Sequence, residues 1–117
     1  MSKSKGALSK AADVDKIAEL ADVFGALSHP HRLSIFLRLA SKCRPNQSVT
    51  EFEARACVSD AGAGLDISAS TLSHHIKELR NAGLIKMAKS GQKTDCWVES
   101  ATIEKLKTFF ASVGCSK

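Results

Sequence analysis

The chain has 117 residues, of which 44% are hydrophobic and 25% charged, and this size and composition indicate one compact domain. Its formal net charge of +5 at pH 7 favours encounter with a polyanion such as nucleic acid. No apolar run approaches the roughly 20 residues of a membrane span, and no Gly-rich phosphate loop, CxxC pair or acid–base constellation points to an enzyme.

The N-terminal segment differs in composition from the rest of the chain. Residues 1–12 carry three lysines, no acidic residue and no apolar period, which is typical of a flexible basic arm preceding a domain over 13–117. This segment also lacks the apolar stretch of a secretion signal, and the four cysteines are widely spaced. We therefore expect a cytoplasmic protein with reduced thiols.

Two amphipathic helices are predicted after the arm. Asp13 is a good N-cap, and apolar residues at helical spacing continue to about Leu27. Pro30 suits the first position of a second helix, whose apolar face extends to Ala40. Residues 41–56 then predict a loop that leads into a short strand.

The middle of the chain predicts two short helices around a tight turn. The first spans 57–65, although Gly62 and Gly64 each weaken it by about 1 kcal/mol relative to alanine. Ser68 is the expected cap of the second, which ends at Gly83. This arrangement is a helix-turn-helix pattern.

A β-hairpin and a last helix complete the prediction. Strands at 84–89 and 94–98 flank a Ser-Gly-Gln-Lys turn, which forms a wing with a basic tip. Ser100 is the expected cap of the last helix, whose apolar surface is large for an unpartnered terminal helix. The predicted fold is mainly α with a small β wing: a winged helix-turn-helix with about five helices and a hairpin.

The helix that follows the turn has a polar face opposite its apolar stripe. Seven residues of this face and of the wing are candidates for contacts with phosphates or base edges: Ser70, Thr71, Ser73, His74, Lys77, Lys89 and Lys93. Residues 68–98 contain five basic and two acidic residues, a surplus of +3. Double-stranded DNA is therefore the predicted partner, and a winged helix that binds only protein is the alternative.

Two segments of the chain resemble the ArsR/SmtB family of winged-helix repressors. They are ALSHPHRL at 26–33 and SASTLSHHIKELRNAGLI at 68–85. The resemblance covers about residues 14–113. It implies a homodimer formed by the first and last helices, operator binding through the fourth helix and the wing, and release of the DNA when an effector binds.

The effector sites of that family are incomplete in this chain. Where arsenic-sensing members have a Cys-Val-Cys-Asp motif and a further cysteine, the sequence has Cys57-Val58-Ser59-Asp60 and then Gly62. Residues 101–117 contain no Asp or His for a zinc or nickel site, and no Cys or His precedes His29. None of these family sites is predicted to function here.

One pair of thiols remains as a candidate effector site. Cys57 lies near the end of the first predicted strand or at the start of the third helix. Cys96 lies in the second wing strand, which in this fold runs beside the first. Such a pair suits trivalent arsenic or an organoarsenical, or it can oxidise to a disulfide. Three alternatives remain open: the pair is a redox sensor, the regulator has no effector, or both cysteines are merely structural. Cys43 and Cys115 have no evident partner.

The sequence favours structural roles for the histidines, with one exception. His29 and His31 flank Pro30, and two imidazoles without a third ligand nearby predict capping and packing rather than metal binding. His75 is expected to pack at the margin of the apolar stripe, whereas His74 points away from it towards DNA. Trp97 is expected in the core beneath the wing.

Overall fold

Five helices and three short strands make up the part of the chain that the computed structural model describes, residues 11–42 and 55–113. In chain order they are α1 (Ala11–Leu27), α2 (Pro30–Ala40), β1 (Ala56–Cys57), α3 (Val58–Ala61), α4 (Ala69–Asn81), β2 (Lys86–Ser90), β3 (Lys93–Trp97) and α5 (Ser100–Ser112). Residues 1–10 of the arm predicted over 1–12 lie outside the described residues, as do Cys43 and Cys115. The prediction is wrong for Ala11 and Ala12, which already belong to α1, so Asp13 lies inside this helix and is not its N-cap. No described helix has the length and apolar character needed to cross a membrane.

The starts of α2 and α4 agree with the predicted caps. The Nδ1 atom of His29 accepts the backbone N–H of His31 at 3.1 Å, which caps α2 in front of Pro30. The hydroxyl of Ser68 accepts the N–H of Thr71 at 3.1 Å in the same way. Each side chain satisfies a backbone donor that has no partner inside its helix.

The predicted cap of α5 is wrong by one residue. Glu99 is the N-cap, and its side chain makes no capping hydrogen bond, whereas Ser100 is the first helical residue. The carbonyl of Glu99 accepts the N–H of Thr102 at 3.0 Å. Because Val98 is buried in the core, the chain turns into the helix directly after it, one residue earlier than the serine suggested.

The core forms where α2, α4 and the residues around the wing meet. Its largest fully buried side chains are Ile35, Leu39, Ile76, Leu79, Leu84, Cys96 and Val98. Leu84 was predicted to begin a strand, but its N–H bonds to the carbonyl of Leu79 at 3.0 Å and closes the end of α4. The turn is made by Gly83 with φ of +80°, so β2 begins only at Lys86.

The three strands form an antiparallel sheet in the order β1-β3-β2. The predicted pairing of the first strand with the second wing strand is thereby confirmed. Ser90 pairs with Lys93, so the hairpin turn contains only Gly91 and Gln92 rather than four residues. Gly91 has φ of +66°, a conformation that permits a two-residue turn.

The helix predicted over 57–65 is only one turn long. α3 ends at Ala61, and residues 62–64 form a turn. The Nη1 atom of Arg38 donates to the carbonyls of Asp60, Ala61 and Ala63 at 3.2, 3.2 and 2.6 Å. This guanidinium from α2 satisfies carbonyls at the C-terminal end of α3, where positive charge is favourable.

Gly62 lies at the close contact between α3 and α4. A Cβ atom placed on it would be 2.6 Å from Cδ1 and 2.7 Å from Cδ2 of Leu72, a side chain that is itself buried. The absence of a side chain at residue 62 therefore permits this packing. Helix propensity counts only the cost of glycine inside a helix and does not include this contact.

We expect Gly62→Ala to lower the free energy of unfolding by about 1–3 kcal/mol, because an extra carbon in a packed core forces neighbouring side chains to shift. Gly25→Ala in α1 is the matched control, since no atom of the described residues lies within 4 Å of its added Cβ and alanine favours helix by up to about 1 kcal/mol. Urea unfolding of both variants makes the comparison. A Gly62→Ala protein as stable as Gly25→Ala would contradict the packing argument.

Candidate nucleic-acid interface

One face of α4 is buried and the other is open to solvent. Leu72, Ile76 and Leu79 form the buried stripe. The predicted DNA-contacting residues of this helix are all exposed: Ser70, Thr71, Ser73, His74 and Lys77. The predicted division of α4 into a core stripe and a polar face is confirmed.

Hydroxyl groups cluster at the N-terminal end of α4. Besides capping the helix, the Ser68 hydroxyl donates to Oγ1 of Thr71 at 3.0 Å and lies 3.2 Å from Oγ of Ser70. One turn later, Nε2 of His74 lies 3.9 Å from a carboxylate oxygen of Glu78. Both side chains are exposed, and the two groups form an ion pair only when the imidazole is protonated, so this contact adds little to stability.

The wing carries its two predicted DNA-contacting lysines near the tip. Lys89 pairs with Thr94 and Lys93 pairs with Ser90, and both lysines are exposed. At the base of the sheet Trp97 is buried, as predicted. The guanidinium of Arg55 lies 4.4 Å from the centre of the Trp97 ring and 3.6 Å from the Asp95 carboxylate, which holds the start of β1 against β3.

A cleft of about 410 Å³ separates α4 from the wing. Its lining residues come from the start of α3, from α4 and from the hairpin: Cys57, Val58, Ser59, Ser73, Ile76, Lys77, Met87, Lys93 and Thr94. Half-buried Cys57 therefore shares this cleft with three of the predicted DNA-contacting residues, Ser73, Lys77 and Lys93.

Cys57 and Cys96 occupy neighbouring positions on paired strands and form no disulfide. Cys57 lies opposite Asp95, and Cys96 lies opposite Ala56, so the side chains of the two cysteines project from opposite faces of the sheet. Cys96 is fully buried, and this burial, followed by the charges of Asp95 and Cys57, raises the pKa of its thiol to about 12. Of the two thiols, only Cys57 opens to the cleft.

The fold brings together three histidines that sequence reasoning did not connect. His29 caps α2 as predicted and His75 is buried as predicted, but His29, His31 and His75 also have one ring nitrogen each within 4.8 Å of the others. Burial lowers the pKa of His75, and the charges of His29 and Arg32 lower it further. The sequence indicates that His75 faces a packed element, because it borders the α4 stripe, but it does not indicate that this element is the start of α2.

The first and last helices meet through aromatic contacts. Phe24 of α1 lies 5.8 Å from both Phe109 and Phe110 of α5, measured between ring centres, and Lys105 donates to Glu19 at 2.8 Å. Several large apolar side chains of these two helices and of the residue that follows α5 remain exposed: Val14, Ile17, Phe110 and Val113. Exposed apolar side chains on adjoining helices are typical of a surface that contacts another protein chain.

A short helix, a turn, an exposed helix and an antiparallel hairpin together define a winged helix-turn-helix domain, a class of DNA-binding fold. The profile of a helix-turn-helix domain family matches residues 27–88, and the chain belongs to that family. The resemblance to ArsR/SmtB proteins inferred from residues 26–33 and 68–85 is also confirmed by the relatives that the chain matches.

Three of those relatives show the extent of the match. A transcriptional repressor SmtB homolog of Synechocystis is 29% identical over 79 residues, 68% of this chain and 51% of that protein, so the chain spans about half the length of this relative. An ArsR-like transcriptional regulator of Rhodococcus sp. RHA1 superposes with a TM-score of 0.65 at 25% identity, over 86% of this chain and 83% of the other. The homodimeric winged helix-turn-helix DNA-binding domain of a Mycobacterium bovis protein superposes with a TM-score of 0.65 at 18% identity. The match covers 92% of this chain and 89% of the other.

Proposed function

We propose that the protein is a dimeric, sequence-specific repressor that reads operator DNA with α4 and contacts the flanking backbone with the wing. The observation that carries this proposal is the exposed polar face of α4 beside the lysines of the hairpin, on two sides of one cleft. Its hydroxyl and imidazole groups suit base edges in the major groove, whereas the lysine ammonium groups suit phosphates.

The apolar surface of α1 and α5 supports a dimer of this chain. A second copy placed on this surface by a two-fold axis would cover the exposed Phe110 and Val113 in both subunits at once. It would also present two copies of α4 to the same DNA. The operator is then an imperfect inverted repeat with half-sites about one helical turn, roughly 34–36 Å, apart.

The operator titration separates the roles of α4 and the wing. We expect Thr71→Ala, Ser73→Ala and His74→Ala each to weaken binding to a duplex selected from a random pool by about 1–3 kcal/mol, with little effect on a scrambled duplex. Lys89→Ala and Lys93→Ala should weaken both duplexes alike and reduce the salt slope by about 0.9 per lost phosphate contact. Fluorescence anisotropy at several salt concentrations measures both effects.

Lys107→Ala is the matched control for these lysines, because Lys107 is exposed but lies on α5 next to Glu104. It should leave both affinities unchanged. Binding that is insensitive to salt, or a sequence preference changed by the wing lysines alone, would contradict this assignment. Sedimentation of the complex gives the expected stoichiometry of two chains per duplex.

The effector in this proposal is a thiol-directed species that reaches Cys57 first and then joins Cys96. Supporting this choice, Cys57 lines the cleft between α4 and the wing, so an adduct there lies against Ser73, Lys77 and Lys93. A trivalent arsenical with two exchangeable hydroxyl groups would form one S–As bond with each thiol and release one water per bond. An oxidant is the second candidate, since it would take two electrons and two protons from the thiols as the disulfide forms.

Joining Cys96 requires movement, because its side chain is fully buried and the strand register places it on the opposite face of the sheet from Cys57. The second bond therefore needs β1 and β3 to separate or rotate locally, and β3 is also a strand of the wing. A ligand that binds this rearranged sheet more tightly than the DNA-binding conformation lowers operator affinity, at most by the ratio of its two affinities.

A further inference from the structure

Three histidines from two segments converge where the start of α2 packs against α4. One nitrogen of each ring of His29, His31 and His75 lies within 4.8 Å of the other two. The ring centres are 4.6 Å apart for His29 and His75, 5.4 Å for His29 and His31, and 5.9 Å for His31 and His75. Neither the predicted operator contacts nor the thiol pair uses these three side chains.

His75 is the member of this cluster that most needs a partner. Its side chain is only 5% exposed, and its Nδ1 atom has no hydrogen-bond partner among the described residues. Buried polar atoms in folded proteins nearly always have one. A metal ion bound at Nδ1 of His75 would give this buried nitrogen a partner.

We propose that His29, His31 and His75 bind a divalent transition-metal ion of the borderline class represented by Zn²⁺. Imidazole nitrogen is a preferred ligand of such ions, and three histidines with an open fourth position for water form a known type of zinc site. Zinc–nitrogen bonds of about 2.0–2.1 Å in a tetrahedron place the nitrogens roughly 3.4 Å apart. The ring nitrogens now lie within 4.8 Å of one another, so each pair has to approach by at most about 1.4 Å. Side-chain rotation of the half-buried His29 and His31 can supply this movement.

Metal binding competes with the cap of α2. The Nδ1 atom of His29 accepts the His31 N–H, so the proton of the neutral His29 ring is on Nε2. Binding through Nε2 moves that proton to Nδ1, and binding through Nδ1 displaces the N–H directly. In both cases the capping hydrogen bond is exchanged for a coordination bond, so the ion alters the start of α2.

Arg32 sets the electrostatic environment of the site. Its positive charge acts on His75, and its Nε donates to the carbonyl of Ala26 at 2.7 Å. A like charge near a bound cation weakens binding. Arg32→Gln is therefore expected to tighten metal binding several-fold, whereas loss of any ligand weakens it.

The test is titration of the full-length protein with Zn²⁺ and with Co²⁺, in the absence of DNA. We expect one ion per chain, a Co²⁺ spectrum with tetrahedral d–d bands, and no thiolate-to-cobalt charge-transfer band from this site. His29→Asn, His31→Gln and His75→Gln should each weaken binding by at least about 100-fold, since disturbing even a group that only orients a ligand costs about 10–100-fold. His29→Asn is the most informative variant, because asparagine still caps a helix and so preserves the fold.

His74→Gln is the matched control, since this exposed neighbour of His75 does not belong to the cluster. It should bind Zn²⁺ as the wild type does, and so should Cys57→Ser. Unchanged affinity in a folded His29→Asn variant, or a charge-transfer band that Cys57→Ser removes, would overturn the histidine site. This result is independent of operator binding, so failure of one proposal leaves the other standing.

Discussion

Iodoacetamide is expected to label Cys57 at least about 100-fold faster than Cys96 in the folded protein. Alkylation requires a thiolate that the reagent can reach. Cys96 is fully buried, and its pKa of about 12 makes its thiolate roughly a thousandfold rarer than that of a thiol with the ordinary value of 9.0. Cys57 opens to the cleft beside α4.

Peptide mass spectrometry after timed labelling measures the two rates, and the same labelling in urea is the control. Unfolding should make the rates alike, because both the burial of Cys96 and the raised pKa of its thiol belong to the folded state. Equal rates in the native protein would mean that the sheet opens readily around Cys96. Such opening would remove the basis for the proposed order of reaction, in which Cys57 reacts first.

The elements with strong local signals were predicted well from the sequence. The apolar stripe of α4, its Ser68 cap and the glycine at its end specify that helix through interactions between residues close in sequence. The same holds for α2, where Pro30 follows its cap. Local hydrogen bonds and periodicity are visible in a sequence because both partners lie within a few residues of each other.

The wrong boundaries were set by contacts distant in sequence. α3 is held at its end by Arg38, which lies 22 to 25 residues before the carbonyls it contacts, and no periodicity within residues 57–65 indicates that contact. Gly62 was interpreted as a weak point of a helix, whereas its contact with Leu72 shows that two helices meet there. In both cases tertiary packing outweighs local propensity.

The candidate sites show the same division. The exposed face of α4 could be identified by helical spacing alone, and the structure places all five of its predicted contact residues on the surface. The histidine cluster could not be identified from the sequence, because 44 positions separate His31 from His75 and only the packing of α2 on α4 brings them together. For the two cysteines, strand pairing was predictable but the register and the burial of Cys96 were not.

Cys57→Ser is expected to bind the operator normally and to lose its response to a monomethyl arsenical. In the wild type, the arsenical should weaken operator binding by about 5–150-fold, the range of typical coupling between two ligands. The variant lacks the accessible thiol from which the first S–As bond forms, so that no adduct enters the cleft. Operator titration with and without the arsenical measures the response.

Two further variants decide whether the second thiol takes part. Cys96→Ala should also lose the response if both sulfurs hold the arsenic, and alanine avoids placing a hydroxyl in the apolar core. Cys43→Ser is the matched control and should respond as the wild type does. If the arsenical still releases the operator from Cys57→Ser, the proposed site is eliminated. If it releases the operator from Cys96→Ala but not from Cys57→Ser, the site consists of the Cys57 thiol alone. If an oxidant releases the operator and the arsenical does not, the protein is a redox sensor.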